Sequence, residues 1–216
     1  MMRTLFEKEL SDLNADLIQM GAYCESACTN VVNLLQQEGD FTKTTRQIHE
    51  YEQKTDELQK SLESACIKVI FSQQPVAGDL RLISSVMKMV ADLERIADQT
   101  SDIADLLESN QALHGQANAT LVQMAKLVTN MLHQSLQSFM TRDATLAKSV
   151  SSMDDGVDGC FKQIRQQLVQ TIDPDEAELE NWVDVLMIAK YLERIGDHSV
   201  NVSESVIFCV DGPNQA

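Results

Sequence analysis

The sequence predicts an all-α protein, six long helices arranged as two three-helix bundles that arose by internal duplication. Three observations carry this. Only three prolines and eight glycines occur in 216 residues, with 5% aromatics, a composition that suits long helices and denies strands the residues they favour. Apolar residues recur in steps of four and three over long stretches, the period of a helix buried along one stripe. The heptapeptide LERIADQ, Leu93 to Gln99, returns 99 residues later as LERIGDH, Leu192 to His198, which marks a repeated unit.

The first helix follows from Phe6, Leu10, Leu13, Leu17, Met20, Cys24, Ala27, Val31 and Leu34, a seam kept over about four heptads. Gly39 and Asp40 read as a stop and a fresh N-cap. A second helix is expected from about Phe41 to Ser72, and Pro75 and Gly78 punctuate it. The third runs to about Ser109 on the seam Val86, Val90, Leu93, Ala97, Thr100, Ala104 and Leu107. The polar stretch Asn110 to Asn118, with Gly115 inside it, is the expected boundary between halves. A fourth helix covers about Ala119 to Met140 and a fifth about Asp143 to Thr171. Asp173, Pro174 and Glu176 form a helix start, with an N-cap acid, proline first and an acid at N3. The sixth helix continues to about Val210, before Gly212 and Pro213.

The halves align beyond the heptapeptide. Ile48, Glu52, Asp56 and Lys60 match Val150, Asp154, Asp158 and Lys162 at an offset of 102, whereas Pro75 matches Pro174 at 99. Three residues are lost between these landmarks in the second copy, as a shortened interhelical turn requires. The domains are placed at 1–112 and 113–216. A helix of about 33 residues is about 50 Å long, so each half reads as an elongated bundle.

The 33 Asp and Glu against 17 Lys and Arg leave a net charge of −16. Nucleic acid is thereby disfavoured as a direct partner, since affinity there rests on basic side chains. Cations or basic protein surfaces fit better. Cys24, Cys28, Cys66, Cys160 and Cys209 form an odd set with no CxxC and read as small apolar packing residues. No apolar run approaches the roughly 20 residues of a membrane span, and the N-terminus MMRTLFEKEL has no signal-peptide core. A cytoplasmic protein is expected.

Residues four apart share one helix face, about 6 Å along the axis. Glu94, Asp98 and Asp102 therefore make a carboxylate ladder, repeated as Glu193, Asp197 and Asn201. The preceding helix of each half adds Glu52 with Asp56, and Asp154 with Asp158. Like charges so placed repel and invite a counter-charge; oxygen donors on facing helices suit Mg²⁺, Mn²⁺, Ca²⁺ or iron. Ordinary ion pairs account for the same acids. Arg95 and Arg194 stand three residues before Asp98 and Asp197, and Lys60 and Lys162 four after Asp56 and Asp158. Both readings stand at this level.

Catalytic patterns are thin. A ferritin-like di-iron site wants Glu three residues before His, but Arg46, Gln111, Asn130 and Ile195 precede His49, His114, His133 and His198. There is no HExxH, glycine-rich phosphate loop or G-x-S-x-G elbow. His198 has no counterpart in the first half, where Gln99 stands, and reads as a polar surface or core histidine.

Two copies of Leu-Glu-Arg-Ile-(Ala/Gly)-Asp, each with an upstream acidic pair and a proline-led final helix, resemble the PhoU family of phosphate-transport accessory proteins. The resemblance spans essentially the whole chain. It implies two bundles related by a pseudo-two-fold axis. Functionally it implies a non-enzymatic negative regulator of the phosphate-starvation response. Such a protein is a cytoplasmic adaptor between the ATPase of a phosphate ABC transporter and a sensor histidine kinase, modulates uptake, forms homodimers and meets the membrane only through its partners. It further implies clusters of Fe, Mn, Mg or Zn, one per bundle. Carried over by position, Glu52, Asp56, Glu94, Asp98 and Asp102 would form the first, supported by Arg95. Asp154, Asp158, Glu193, Asp197 and Asn201 would form the second, supported by Arg194. A metal-dependent phosphate-ester hydrolase and a purely structural scaffold are the competing functions.

Overall fold

The computed structural model describes residues 2–110, 119–170 and 176–212, without side chains for 2–4 and 176–178. The expected boundary at 112–113, with His114 and Gly115, and the Asp173–Pro174 helix start lie outside these residues. The described residues form six α-helices: α1 (Met2–Gln36), α2 (Phe41–Gln73), α3 (Ala77–Ser109), α4 (Ala119–Thr141), α5 (Ala144–Gln170) and α6 (Glu176–Asp211). The expected all-α architecture stands, and the helix limits agree with the sequence reading to within one or two residues.

Local chemistry sets the ends. Asp40 is the N-cap of α2, its carboxylate accepting from the Lys43 amide at 3.1 Å. Helix α1 ends at Gln36, three residues before the expected glycine. Gln37 takes the left-handed conformation at φ 59, and the Glu38 amide donates to the Asn33 carbonyl at 2.8 Å, a Schellman closure. The end of α4 repeats it, with Arg142 at φ 55 and the Asp143 amide on the Ser138 carbonyl at 2.9 Å. Asp143 then caps α5, accepting from the Thr145 and Leu146 amides.

Helices α1–α3 pack on one another, as do α4–α6, and the trios join through α3 against α6 and α1 against α4. Both junctions are antiparallel. Along α3, Asp92 meets Asn201, Asp102 meets Tyr191 and Asn110 meets Asn181 of α6. Across the other junction, Glu25 of α1 pairs with His133 of α4. There Gly21 faces Leu136 so closely that an added Cβ would stand 2.6 Å from Leu136 Cδ2. The seams read from the sequence are buried, from Leu13 to Leu34 on α1 and from Val86 to Leu107 on α3. One continuous apolar core includes both trios. Cys24 and Cys28 belong to it; Cys24 donates to the Leu93 carbonyl, and burial pushes its thiol up to about 12.

Candidate functional site: two acidic ladders and the seam between the bundles

The facing helices α2 and α3 bring the first ladder together. Glu52, Asp56 and Asp98 each offer an oxygen, and these all lie within 4.8 Å of one another. Glu94 flanks them, one turn before Asp98. Arg95 bridges the α3 pair, its Nε 3.4 Å from Glu94 and its Nη1 3.5 Å from Asp98. Lys60 stands 4.0 Å from Asp56. These cations do not offset the crowding. Partial burial, then Asp56 and Asp98, raises Glu52 above the ordinary carboxylate range. Burial, then Asp98, with smaller pushes from Asp56 and Glu63, raises Glu94 against the pull of Arg95. Asp98 is raised by burial, with Arg95 opposing and Asp56 and Asp102 adding to the rise.

The second ladder lies between α5 and α6. Burial, then Asp197, Asp158, Asp155 and Glu193, raises Asp154. Asp197 is raised by burial and then by Glu193, against Lys190 and His198. This ladder is looser: among the described residues no three of its acids close to 4.8 Å as the first group does. Within it Lys190 engages Glu193 and Lys162 stands 3.5 Å from Asp158. Gly196 matters here. A Cβ at this position would come within 3.2 Å of Asp154 Oδ1, so the bare backbone lets that carboxylate lie against α6. Ala97 holds the matching place in the first half.

Two residues expected in the ladders face elsewhere. Asp102 accepts a hydrogen bond from Tyr191 and feels Arg194, both on α6. Asn201 donates to Asp92 of α3 at 3.1 Å, and His198 Nδ1 lies 2.9 Å from the same Asp92 oxygen. Each step of four turns a side chain about 40° around the helix, so two steps carry it about 80° off the first residue's face. Asp102 and Asn201 thus swing from their own bundle into the seam. Arg194 holds the same motif position as Arg95 but has a different partner: its charge acts on Asp102 across the seam, whereas Arg95 pairs within its ladder.

The sequence reading passed over Glu63, Lys190 and the Asp92–His198 pair. Glu63 continues the α2 ladder at helical spacing, so extending the count past Lys60 would have found it. The other two depend on contacts between helices, which spacing within one helix does not reveal. A further donor group, His49, Asp105 and Glu108, also lies within 4.8 Å on the outer end of the first bundle, with His49 Nδ1 2.8 Å from Ser101 Oγ.

The ladders supply oxygen donors alone. Such a set suits hard cations such as Mg²⁺, Mn²⁺ or ferrous and ferric iron. Zinc sites usually draw on Cys or His, which neither ladder offers.

Comparison with known proteins bears on the family and the fold. The PhoU domain model matches twice, over residues 17–107 and 121–206. The phosphate-specific transport system accessory protein PhoU homolog of Clostridium acetobutylicum is 33% identical, covering 98% of this chain and 97% of that protein. The crystal structure of PhoU from Pseudomonas aeruginosa superposes with a TM-score of 0.86 at 31% identity, covering 96% of this chain and 100% of that one. A phosphate transport system regulatory protein PhoU from Streptococcus pneumoniae shares the fold, with a TM-score of 0.85 at 24% identity over 96% of this chain and 98% of its own. Repeated twice within one fold, and matched along nearly its whole length, this chain belongs to the PhoU family.

Proposed function

We propose that the protein is a non-enzymatic negative regulator of the phosphate-starvation response. It acts as a cytoplasmic adaptor that joins the ATPase of a phosphate ABC transporter to a sensor histidine kinase, modulating uptake and restraining signalling when phosphate is plentiful. The observation that carries this reading is membership of the PhoU family over both halves, with relatives named as accessory proteins of phosphate-specific transport. No described helix is long and apolar enough to cross a membrane, which suits contact with the membrane through partners. The same proposal takes the chain to act as a homodimer.

Within this role the ladders are cation sites. Glu52, Asp56, Glu94 and Asp98 would hold Mn, Mg or iron in the first bundle, and Asp154, Asp158, Glu193 and Asp197 in the second. The crowding of the first ladder supports this, since a bound cation relieves the repulsion that raises Glu52 and Asp98. A bound cation would supply positive charge shared by α2 and α3, or by α5 and α6, through these carboxylates.

Deletion of the gene tests the regulatory reading. Phosphate-starvation promoters should stay active in phosphate-rich medium, and a plasmid copy should restore repression. Full repression in the deletion strain would overturn it.

A further inference from the structure

Histidine meets carboxylate at three places among the described residues, and one of them differs from the other two. His133 Nδ1 lies 2.8 Å from Glu25 and His198 Nδ1 2.9 Å from Asp92, each the length of an ordinary hydrogen bond to one acid. His49 stands beside two acids and hydrogen-bonds to neither. Its Nε2 is 3.4 Å from Asp105 Oδ1, beyond the usual N–H···O range of about 2.7–3.2 Å. Glu108 brings a third donor, and one ligand atom from each of the three residues lies within 4.8 Å of the others.

The two helices dictate this placement. Asp105 and Glu108 are three residues apart near the end of α3 and share one face. The start of α2, with His49, lies against that end. Ser101, one turn before Asp105, holds the far side of the ring, its Oγ 2.8 Å from His49 Nδ1. With the hydroxyl accepting from Nδ1–H, Nε2 presents its lone pair to the two acids. Ligating histidines are held in just this way, through the nitrogen that does not bind the metal.

A lone pair facing a carboxylate oxygen calls for positive charge between them. A proton draws such a pair to hydrogen-bond length, as at His133 and His198. A metal ion keeps its ligands farther apart. Around a tetrahedral zinc ion, bonds of about 2.0–2.1 Å set neighbouring ligand atoms about 3.3–3.4 Å from each other, the spacing that His49 and Asp105 already have.

We propose that His49, Asp105 and Glu108 bind a zinc ion, through His49 Nε2 and one oxygen of each acid, with water in the fourth position. The nitrogen donor separates this site from the ladders, whose oxygens alone suit harder cations. The two share no residue, so this proposal stands or falls apart from the cation and regulatory readings. The duplication does not repeat it either. The matching positions in the second half are Ser151, Glu204 and Ile207, so each chain has one such site. The ion fastens the start of α2 to the last turns of α3, two residues before Asn110, which donates to Asn181 and Asp184 of α6.

Calorimetric titration of the full chain with Zn²⁺, in excess Mg²⁺ to fill the oxygen-only ladders, tests it. One zinc per chain should bind saturably. His49→Gln and Asp105→Asn should each weaken binding by at least about tenfold, with helical circular dichroism unchanged; Asp105 is exposed, so its variant serves even where the His49 variant folds poorly. Nitrogen resonances of labelled histidine give a second readout: zinc should shift Nε2 of His49, identified by its loss in His49→Gln. A chain carrying Glu52→Gln and Asp98→Asn should keep this zinc. Zinc lost from that chain but held at wild-type affinity by both His49→Gln and Asp105→Asn would place the ion in the ladder and overturn the proposal. No saturable zinc binding by the wild-type chain would overturn it as well.

Discussion

Asp98 shows how the ladders work at the level of one residue. It faces Asp56 across the helix pair and Asp102 along its own helix, and Arg95 alone pulls in its favour. Glu52, Glu94, Asp154 and Asp197 are raised in the same direction, by burial first and by neighbouring acids second. An acid raised in the folded state binds more protons there than in the unfolded chain, so the stability of the metal-free protein falls as pH rises through the raised values. Metal-free protein should therefore lose melting temperature as pH rises from about 4, the ordinary carboxylate range, through the raised values. Scanning calorimetry across that interval checks the sign, and a melting point that climbs with pH would contradict it. Asp98→Asn should flatten this dependence. It should add no more than about 0.5 kcal/mol at neutral pH, because the site is open enough for solvent to screen the repulsion. The same change should weaken Mn²⁺ binding by at least about tenfold, measured by titration.

The helices themselves were legible almost to their ends, because the apolar seams of α1 and α3 run unbroken and Asp40 has the chemistry of an N-cap. What spacing could not give was the turning of a face. Counting by fours placed Asp102 and Asn201 in the ladders, but the helix carries them round to the seam, where Tyr191 and Asp92 receive them. The stop of α1 was read from Gly39, yet Gln37 makes the closing turn, since a hydrogen-bonded Schellman closure can hold a non-glycine there. Helix contacts are also where substitutions should tell. Gly21→Val would drive a branched side chain into Leu136 and is expected to lower stability by about 2 kcal/mol. Leu136→Ala in the same chain should recover part of that loss in a urea denaturation series, and strictly additive losses would argue against close approach at this crossing.

At the scale of the whole molecule the decisive feature is the pairing of the bundles, which one sequence does not disclose. Periodicity tells which stripe of a helix is buried, not which other helix buries it. The heptapeptide repeat announced the duplication but not that its two copies would lie antiparallel across α3 and α6. His198 shows the gap. Its ring meets Asp92 of the other bundle, a role invisible from a position whose repeat partner is Gln99. Asp92→Ala strips a partner from both His198 and Asn201 and should cost about 1–3 kcal/mol. With one core running through both trios, that loss should appear in a single cooperative unfolding transition, followed by far-ultraviolet and near-ultraviolet dichroism together. Two separated transitions would mean that the halves fold alone.

The central claim is that crowded carboxylates, set on facing helices in each bundle, hold metal rather than merely repel one another. Elemental analysis of protein purified without chelator or affinity metal tests it most directly, alongside a chain carrying Glu52→Gln and Asp98→Asn. The wild-type chain should retain Mn, Mg or iron in more than trace amounts, or take it up saturably when titrated, and the double variant should lose the share held by the first bundle. Equal metal content in the two proteins, or no saturable uptake by the wild type, would contradict the account.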